Sequence, residues 1–394
     1  MWVLILGALS VQLSILVYNL VYWRRRRLVL PCSEQARRNR KYLDPLGTTA
    51  KAASSSLLFR GEGEGYPTLS ILIPARNERE NLPRLLESLA PQLSAGVECW
   101  VCDDGSDDGT TEWLEQHAPQ LRVRWFRSTA RPDGWVGKNW ACYQLATRAR
   151  GEWLLFLDAD LRCEMGFIDA LRAYLSRTDA QLVSAIPTFT PSSLPVAMLK
   201  LMVPFSVFTL LPLALAERHP NPAFAFANGQ VIAFRKADYV RWLPHFVVRK
   251  AVLEDVALAM LVKRQRGIVH LLDARAWLRV SMYPTLREAM DGFAKNAVAI
   301  CRGVPMTVLV GLMLALVYLY PLGALLVPTQ HELAMLAIGA AVVIFGLSAR
   351  VVGLPFRLGW LYTGSIVLGL LTLGRSVRWY QRGAIVWKGR VYRA

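Results

Sequence analysis

The sequence predicts an α/β protein: a doubly wound, mostly parallel sheet, with one apolar span before it and apolar helices after it. Three observations carry this reading. From Leu69 onward, short apolar runs alternate with amphipathic helical segments, which is the texture of a parallel sheet with crossover helices. Residues 2–22 carry no charge and are followed by Arg24-Arg25-Arg26-Arg27. Hydrophobic residues reach 54% of the 394, and they crowd toward the two ends.

The first segment is long enough to cross a bilayer, and the arginines behind it hold its C-terminal end in the cytoplasm. A signal peptide would carry its positive charges ahead of the apolar core, so residues 1–23 read as an uncleaved transmembrane anchor. Residues 24–65 are basic, then rich in Ser, Gly and Glu, the composition of a flexible linker. Strands are expected at Leu69–Pro74, Val97–Cys102, Leu121–Phe126, Glu152–Leu157 and Gln181–Ile186. Helices are expected at Glu78–Leu89, Thr110–Gln116, Lys138–Arg148 and Gly166–Leu175. Residues 194–216 are apolar but hold Lys200 and Pro195, Pro204 and Pro212, which suits a segment lying in the membrane interface. Mixed structure resumes at Gln230, so the α/β domain spans 66–300. Residues 301–375 hold three further apolar stretches, and 376–394 form a basic cytoplasmic tail. If all three stretches cross, the tail lands opposite the domain, whereas the basic flanks place both in the cytoplasm; one of the three is therefore expected to be re-entrant or interfacial.

Net charge is +17, but the basic residues flank apolar segments. They read as orientation signals and attraction to anionic lipid, and nucleic-acid binding is not expected. The six cysteines show no disulfide framework. Cys99 and Cys102 fall on opposite faces of one strand, against a metal or redox role and in keeping with a reducing compartment. The five histidines (117, 219, 245, 270, 331) offer no Ser-His-Asp set.

Chemistry concentrates at strand ends. Trp153-Leu154-Leu155-Phe156-Leu157 closes on Asp158-Ala159-Asp160, two carboxylates one residue apart, the oxygen ligands that hard divalent cations share with phosphates. Ligands of open α/β sheets bind beyond such strand ends. Arg76-Asn77-Glu78 and Asp103-Asp104-Gly105-Ser106 likewise follow strands and lead into helix N-termini, where polar groups meet nucleotide and sugar oxygens or simply cap the helix. Lys138, after Gly137 at a helix start, suits a phosphate. Glu254-Asp255 opens an amphipathic helix, a position that favours acidic residues on electrostatic grounds alone. Trp387-Lys388-Gly389-Arg390 in the tail reads equally as an interfacial anchor.

Taken together and in order, Pro74-Ala75-Arg76-Asn77-Glu78, Asp103-Asp104-Gly105-Ser106, Asp158-Ala159-Asp160 and Glu254-Asp255 resemble the family 2 glycosyltransferases of GT-A fold. Gly134 through Cys142, Asn228-Gly229-Gln230, Met282-Tyr283 and Gly292-Phe293-Ala294-Lys295-Asn296 resemble, within that family, membrane enzymes that glycosylate carotenoids and related polyisoprenoids. The resemblance implies that Arg76, Glu78, Asp103 and Asp104 hold a uridine-type nucleotide, that Lys138 approaches the diphosphate, and that Asn228, Gly229 and Gln230 help bind the nucleotide-sugar. It implies Mg²⁺ or Mn²⁺ at Asp158 and Asp160, with Asp160 the more direct ligand, and Asp255 as catalytic base beside Glu254. Trp387 and Arg390 correspond to a motif that closes over the diphosphate in processive relatives. Two positions depart from the pattern: Leu243-Pro244-His245 stands where relatives often have two glycines before the histidine, and Ser281 stands where an arginine is common. The implied protein is a multi-pass enzyme of the cell membrane with a cytoplasmic catalytic domain, moving a sugar from a UDP-sugar to a lipid hydroxyl. A processive polysaccharide synthase and a non-catalytic scaffold of the same fold are the alternatives.

Overall fold

The structure is a computed structural model. It describes residues 1–29 and 68–383, with the backbone alone of the strands Ile385–Trp387 and Arg390–Tyr392. Most of the expected linker, with Cys32, lies outside the described residues.

Helix α1 (Trp2–Arg24) leads to β1 (Leu69–Ala75), α2 (Leu82–Leu89), β2 (Val97–Asp103), α3 (Thr110–His117), β3 (Arg124–Arg127), α4 (Gly137–Arg148), β4 (Trp153–Leu157) and β5 (Leu161–Cys163). Then come α5 (Phe167–Leu175), β6 (Leu182–Ile186), β7 (Thr188–Phe189), and the short helices α6 (Leu194–Lys200), α7 (Met202–Leu210) and α8 (Leu213–Arg218). Strand β8 (Val231–Arg235) is followed by α9 (Lys236–Trp242), α10 (Pro244–Val247), α11 (Glu254–Arg264), β9 (Val269–Asp273), β10 (Leu278–Val280) and α12 (Leu286–Ile300). The C-terminal third is α13 (Val304–Leu314), a π turn, α14 (Tyr320–Ala324), α15 (His331–Val351), α16 (Tyr362–Gln381) and a hairpin of β11 (Ile385–Trp387) and β12 (Arg390–Tyr392).

Seven strands form one sheet in the order β3-β2-β1-β4-β8-β6-β9. All neighbours run parallel except β8, which is antiparallel to both β4 and β6. This matches the expected doubly wound, mostly parallel sheet. Strand β4 is buried along its whole length, because helices cover both faces and leave no reason for alternation. Cys99 and Cys102 enter separate hydrophobic cores on opposite sides of the sheet, and burial pushes the Cys102 thiol up to about 12. Among the described residues every cysteine is free.

Two element boundaries shift. Helix α2 begins at Leu82 rather than Glu78, with a proline in its first turn, where a missing N–H costs nothing; the Glu78 N–H is instead taken by Thr110 Oγ1 at 3.0 Å. Strand β3 begins at Arg124, not Leu121, because Arg122 adopts a left-handed φ of 56° and the Val123 N–H turns back to the Ala118 carbonyl at 3.0 Å.

Four helical stretches are long and apolar enough to cross a membrane: Trp2–Arg24, Val304–Ala324, Pro328–Val351 and Phe356–Gln381. The 194–216 segment breaks into α6, α7 and α8. Asn19, buried in α1, donates to the Phe208 and Leu211 carbonyls at 2.9 and 2.7 Å and accepts from Leu213 N at 2.8 Å, serving the backbone groups that the break frees. The basic end of α1 docks on the domain: Arg26 pairs with Glu217, and Leu28 N donates to Asp273 O at 2.9 Å.

The last apolar stretch turns back on itself. After α15, Gly359 packs so closely on the backbone of Val342 and Gly346 that a side chain would collide there. Helix α16 then opens with Tyr362 beside the Tyr318 and Phe345 rings, at 6.3 and 6.1 Å. Tyr318 donates to Gln12, halfway along α1, at 2.6 Å. The far end of α16 meets α12, where Arg375 pairs with Asp291 and Ser376 Oγ accepts from Val298 N at 3.1 Å.

Candidate active site

The parallel strands deliver their carboxyl ends to one rim, and the reversal of β8 brings its beginning there too. Asp158 N donates to Gln230 O at 3.0 Å, tying the end of β4 to the start of β8. Asn228 is fixed by its N–H to Ser184 Oγ at 2.8 Å and by Nδ2 to Ala185 O at 2.8 Å. Strand direction thus brings Asp103, Asp158 and Asn228 to one rim.

At the center lies an ion cluster. Lys138, in the first turn of α4, reaches Asp158 Oδ1 at 2.7 Å and Glu254 Oε1 at 2.6 Å. Burial works against the Lys138 charge, but the two carboxylates hold its pKa well above the ordinary value. Burial raises the Asp158 carboxyl despite the Lys138 ammonium. For Glu254 burial is outweighed by Lys138, with help from Lys295, and its pKa falls below the usual range. Glu254, expected as a catalytic partner of Asp255, is thus a salt-bridged group, and Lys138 is shared between carboxylates.

Asp255 is held differently. Its Oδ2 accepts from Gly229 N at 2.9 Å and its Oδ1 from Val256 N at 2.8 Å. A Cβ on Gly229 would lie 3.0 Å from Oδ2, so glycine permits this close approach. Burial, then repulsion from Glu254, raise the Asp255 pKa to about 7.

The β1 and β2 end of the rim is two interlocked loops. Arg76 Nη1 donates to the Asp104 and Gly105 carbonyls at 2.7 and 2.9 Å. Asn77 and Asp107 exchange hydrogen bonds at 2.8 and 3.0 Å, and Glu78 Oε2 accepts from Asn81 at 2.9 Å. Asp103 is fully buried; it accepts from Ser106 N and Oγ at 3.1 and 2.6 Å and from Thr111 Oγ1 at 2.5 Å. Its carboxylate holds the Asp103–Thr111 loop in shape.

Asp158 and Asp160 lie on one turn between β4 and β5 as hard oxygen donors, with Lys138 on one Asp158 oxygen. That donor set fits Mg²⁺ or Mn²⁺ completed by phosphate oxygens and water. Among the described residues, no group of three or more His, Cys, Asp or Glu side chains could hold a metal without such help.

Three residues arrive from beyond the motifs. Lys295 on α12 lies within electrostatic reach of Glu254, Lys138, Asp158 and Asp255. Tyr283, at a left-handed φ of 57°, sits over Gly292, where a Cβ would strike its ring; burial and the charges of Asp160 and Asp158 push its hydroxyl up. Lys200 on α6 is the third. Lys295 and Tyr283 were visible only as parts of a resemblance, since no local spacing ties them to the strand ends. Of Trp387 and Arg390 only the backbone is described: they pair across the β11–β12 hairpin, and their side chains lie outside the described residues.

Comparison with known proteins gives the following likenesses. Residues 70–235 match the model of glycosyl transferase family 2. The chain is 29% identical over 243 residues to a 4,4'-diaponeurosporenoate glycosyltransferase of Staphylococcus haemolyticus, covering 60% of this chain and 62% of the relative. It is 26% identical over 244 residues to the protein of the same name from Staphylococcus aureus, covering 59% and 61%. The chain thus spans about three fifths of the length of these curated relatives. Among solved structures, a mannosyltransferase from Pyrobaculum calidifontis in complex with GDP-Man and Mn²⁺ aligns with 94% of this chain and 98% of its own at a TM-score of 0.45 and 16% identity.

Proposed function

We propose that this protein is a membrane-bound, inverting glycosyltransferase that moves a sugar from a nucleotide-diphosphate sugar, with UDP as the carrier, to a hydroxyl of an apolar lipid of carotenoid or hopanoid kind. The observation that carries the reading is Asp255: an aspartate fixed by two backbone N–H groups, tuned to about 7, across from the Lys138–Asp158–Glu254 cluster. A base poised near neutrality is what an acceptor hydroxyl needs.

In this mechanism Arg76, Glu78 and Asp104, on loops shaped by Asp103, seat the nucleotide, and Asn228, Gly229 and Gln230 line the sugar side. Mg²⁺ or Mn²⁺ at Asp158 and Asp160 would neutralise charge on the diphosphate. Lys138 and Lys295 add positive charge where the leaving group develops its own. Asp255 accepts the hydroxyl proton as the acceptor oxygen attacks the anomeric carbon. The bond from that carbon to the diphosphate oxygen breaks with its electrons, and the nucleoside diphosphate departs. One displacement inverts the anomeric center, so a single catalytic carboxylate suffices, where glycosidases use a pair.

An apolar acceptor is supported by the names of the curated relatives and by α6 and α7, whose exposed apolar side chains include Leu194 and Leu210. Three spans are read as crossing: α1, Val304–Ala324 and α15. The stretch from Phe356 to Gln381 is read as re-entrant, since it opens beside mid-span residues and closes on α12; the domain and the tail then share the cytoplasmic side.

The test is UDP release by the full chain in detergent with Mn²⁺, a panel of UDP-sugars and apolar alcohols as acceptors. Acceptor-dependent release is expected, and Asp255→Asn should lower it by at least about a hundredfold. Absence of release with every donor and acceptor, or full activity of the Asn variant, overturns the assignment.

A further inference from the structure

Lys200 is the only charged residue of α6 and is completely buried. Among the described residues its ammonium has no hydrogen-bond partner. The center of the Phe189 ring lies 5.9 Å from it, and it feels the charge of Asp160. A buried ammonium without a bonded anion is costly, and a helix otherwise made of Leu, Pro, Val, Ala and Met has no structural need of one. Its place is informative. Phe189 also lines a narrow apolar cavity, with Ile186, Val203, Val207 and Phe208, and that cavity reaches Asn228 on the rim. Lys200 itself does not line the cavity; it stands behind Phe189, between that apolar cavity and Asp160.

We propose that Lys200 is an oxyanion-binding residue between the apolar cavity and the active site. Resting on the glycosyltransferase reading, the oxyanion has two sources: the diphosphate of the donor, or an acidic head group on the apolar acceptor. In either case the ligand supplies the partner that the fold withholds. The residue binds substrate and takes no proton.

The test compares wild type, Lys200→Met and Lys200→Arg as full chains in detergent, by calorimetry with UDP plus Mn²⁺ and by fluorescence quenching with retinoic acid and retinol. Methionine keeps the length and removes a charge that burial disfavours, so its melting temperature should equal or exceed that of wild type. Loss of one charge-assisted contact weakens binding by about tenfold or more. If the loss falls on UDP–Mn²⁺ while uridine binding is unchanged, the diphosphate is the source. If it falls on retinoic acid while retinol is unchanged, the acceptor is the source. Arginine should retain the affected ligand better than methionine. Unchanged binding of both anions by Lys200→Met overturns the proposal, and so does a marked fall in its melting temperature, which would make the charge structural. Failure of the wild type to bind UDP–Mn²⁺ would count against the enzyme reading, while the retinoic acid comparison, which needs no nucleotide, would still judge Lys200.

Discussion

Asp255 shows how little chemistry a residue type alone specifies. Adjacent to Glu254 in sequence, it has the opposite fate: Glu254 is held charged by Lys138, whereas burial and Glu254 itself raise Asp255 to about 7. As the base it must be deprotonated, so transfer rate should climb with pH through about 7 and level off above it; a profile flat from pH 5 to 8 would contradict the role. Stability runs the other way. A carboxyl whose pKa is raised on folding contributes stability in full below its unfolded value, and loses it as pH rises through the folded value. Relative to wild type, Asp255→Asn should therefore gain melting temperature as pH is raised from 5 to 8. The carboxylates of this site were legible in the sequence because strand ends advertise them. Lys295 and Tyr283 were legible only through the resemblance and Lys200 not as a site residue, since no local spacing ties any of them to the strand ends.

At the scale of elements, the strands and helices from β1 to β6, apart from the short β5, were legible to within a few residues, because apolar runs and helix starts are local signals. The misplaced starts of α2 and β3 have non-local or conformational causes: the Thr110 hydroxyl claiming the Glu78 N–H, and Arg122 at positive φ. Leu243 is a related case. It joins α9 to α10 at φ 46°, ψ 55°, the turn that glycine makes without strain, and it is 44% exposed. Replacing it by glycine should relieve left-handed strain and stabilise the protein by roughly 1 kcal/mol, readable as a higher melting temperature in detergent; a lower one would mean that Leu243 packing outweighs the strain. At the α7–α8 break, Asn19→Ala on α1 removes the partner of three backbone groups. It should destabilise by at least about 1 to 3 kcal/mol, and a neutral effect would show that water serves the α7–α8 break instead.

Across the whole molecule, the sequence left a topological contradiction: basic flanks on both sides of an odd number of added spans. The fold offers a resolution that no hydropathy profile contains, because it depends on where Gly359, Tyr362 and Arg375 find their neighbours. Single cysteines placed at Gln330 and Arg382 should therefore differ in labelling by a membrane-impermeant maleimide added to intact cells: Gln330 labelled, Arg382 protected until the cells are opened. Labelling of both from outside would restore a full crossing for the last stretch.

The reversed strand β8 has one more consequence, for how the domain can change without losing its chemistry. Its start supplies the rim, but its end, where Lys236 N meets Glu152 O at 2.8 Å, lies at the opposite edge of the sheet with the first residues of β1 and β4. For β1, β4 and β8 one end thus meets the candidate site and the other lies away from it. Inserted residues, fused tags or drifting sequence at the Arg235–Lys236 junction load only the edge away from it, whereas a single added residue between Ala227 and Val231 would shift Asn228, Gly229 and Gln230 together.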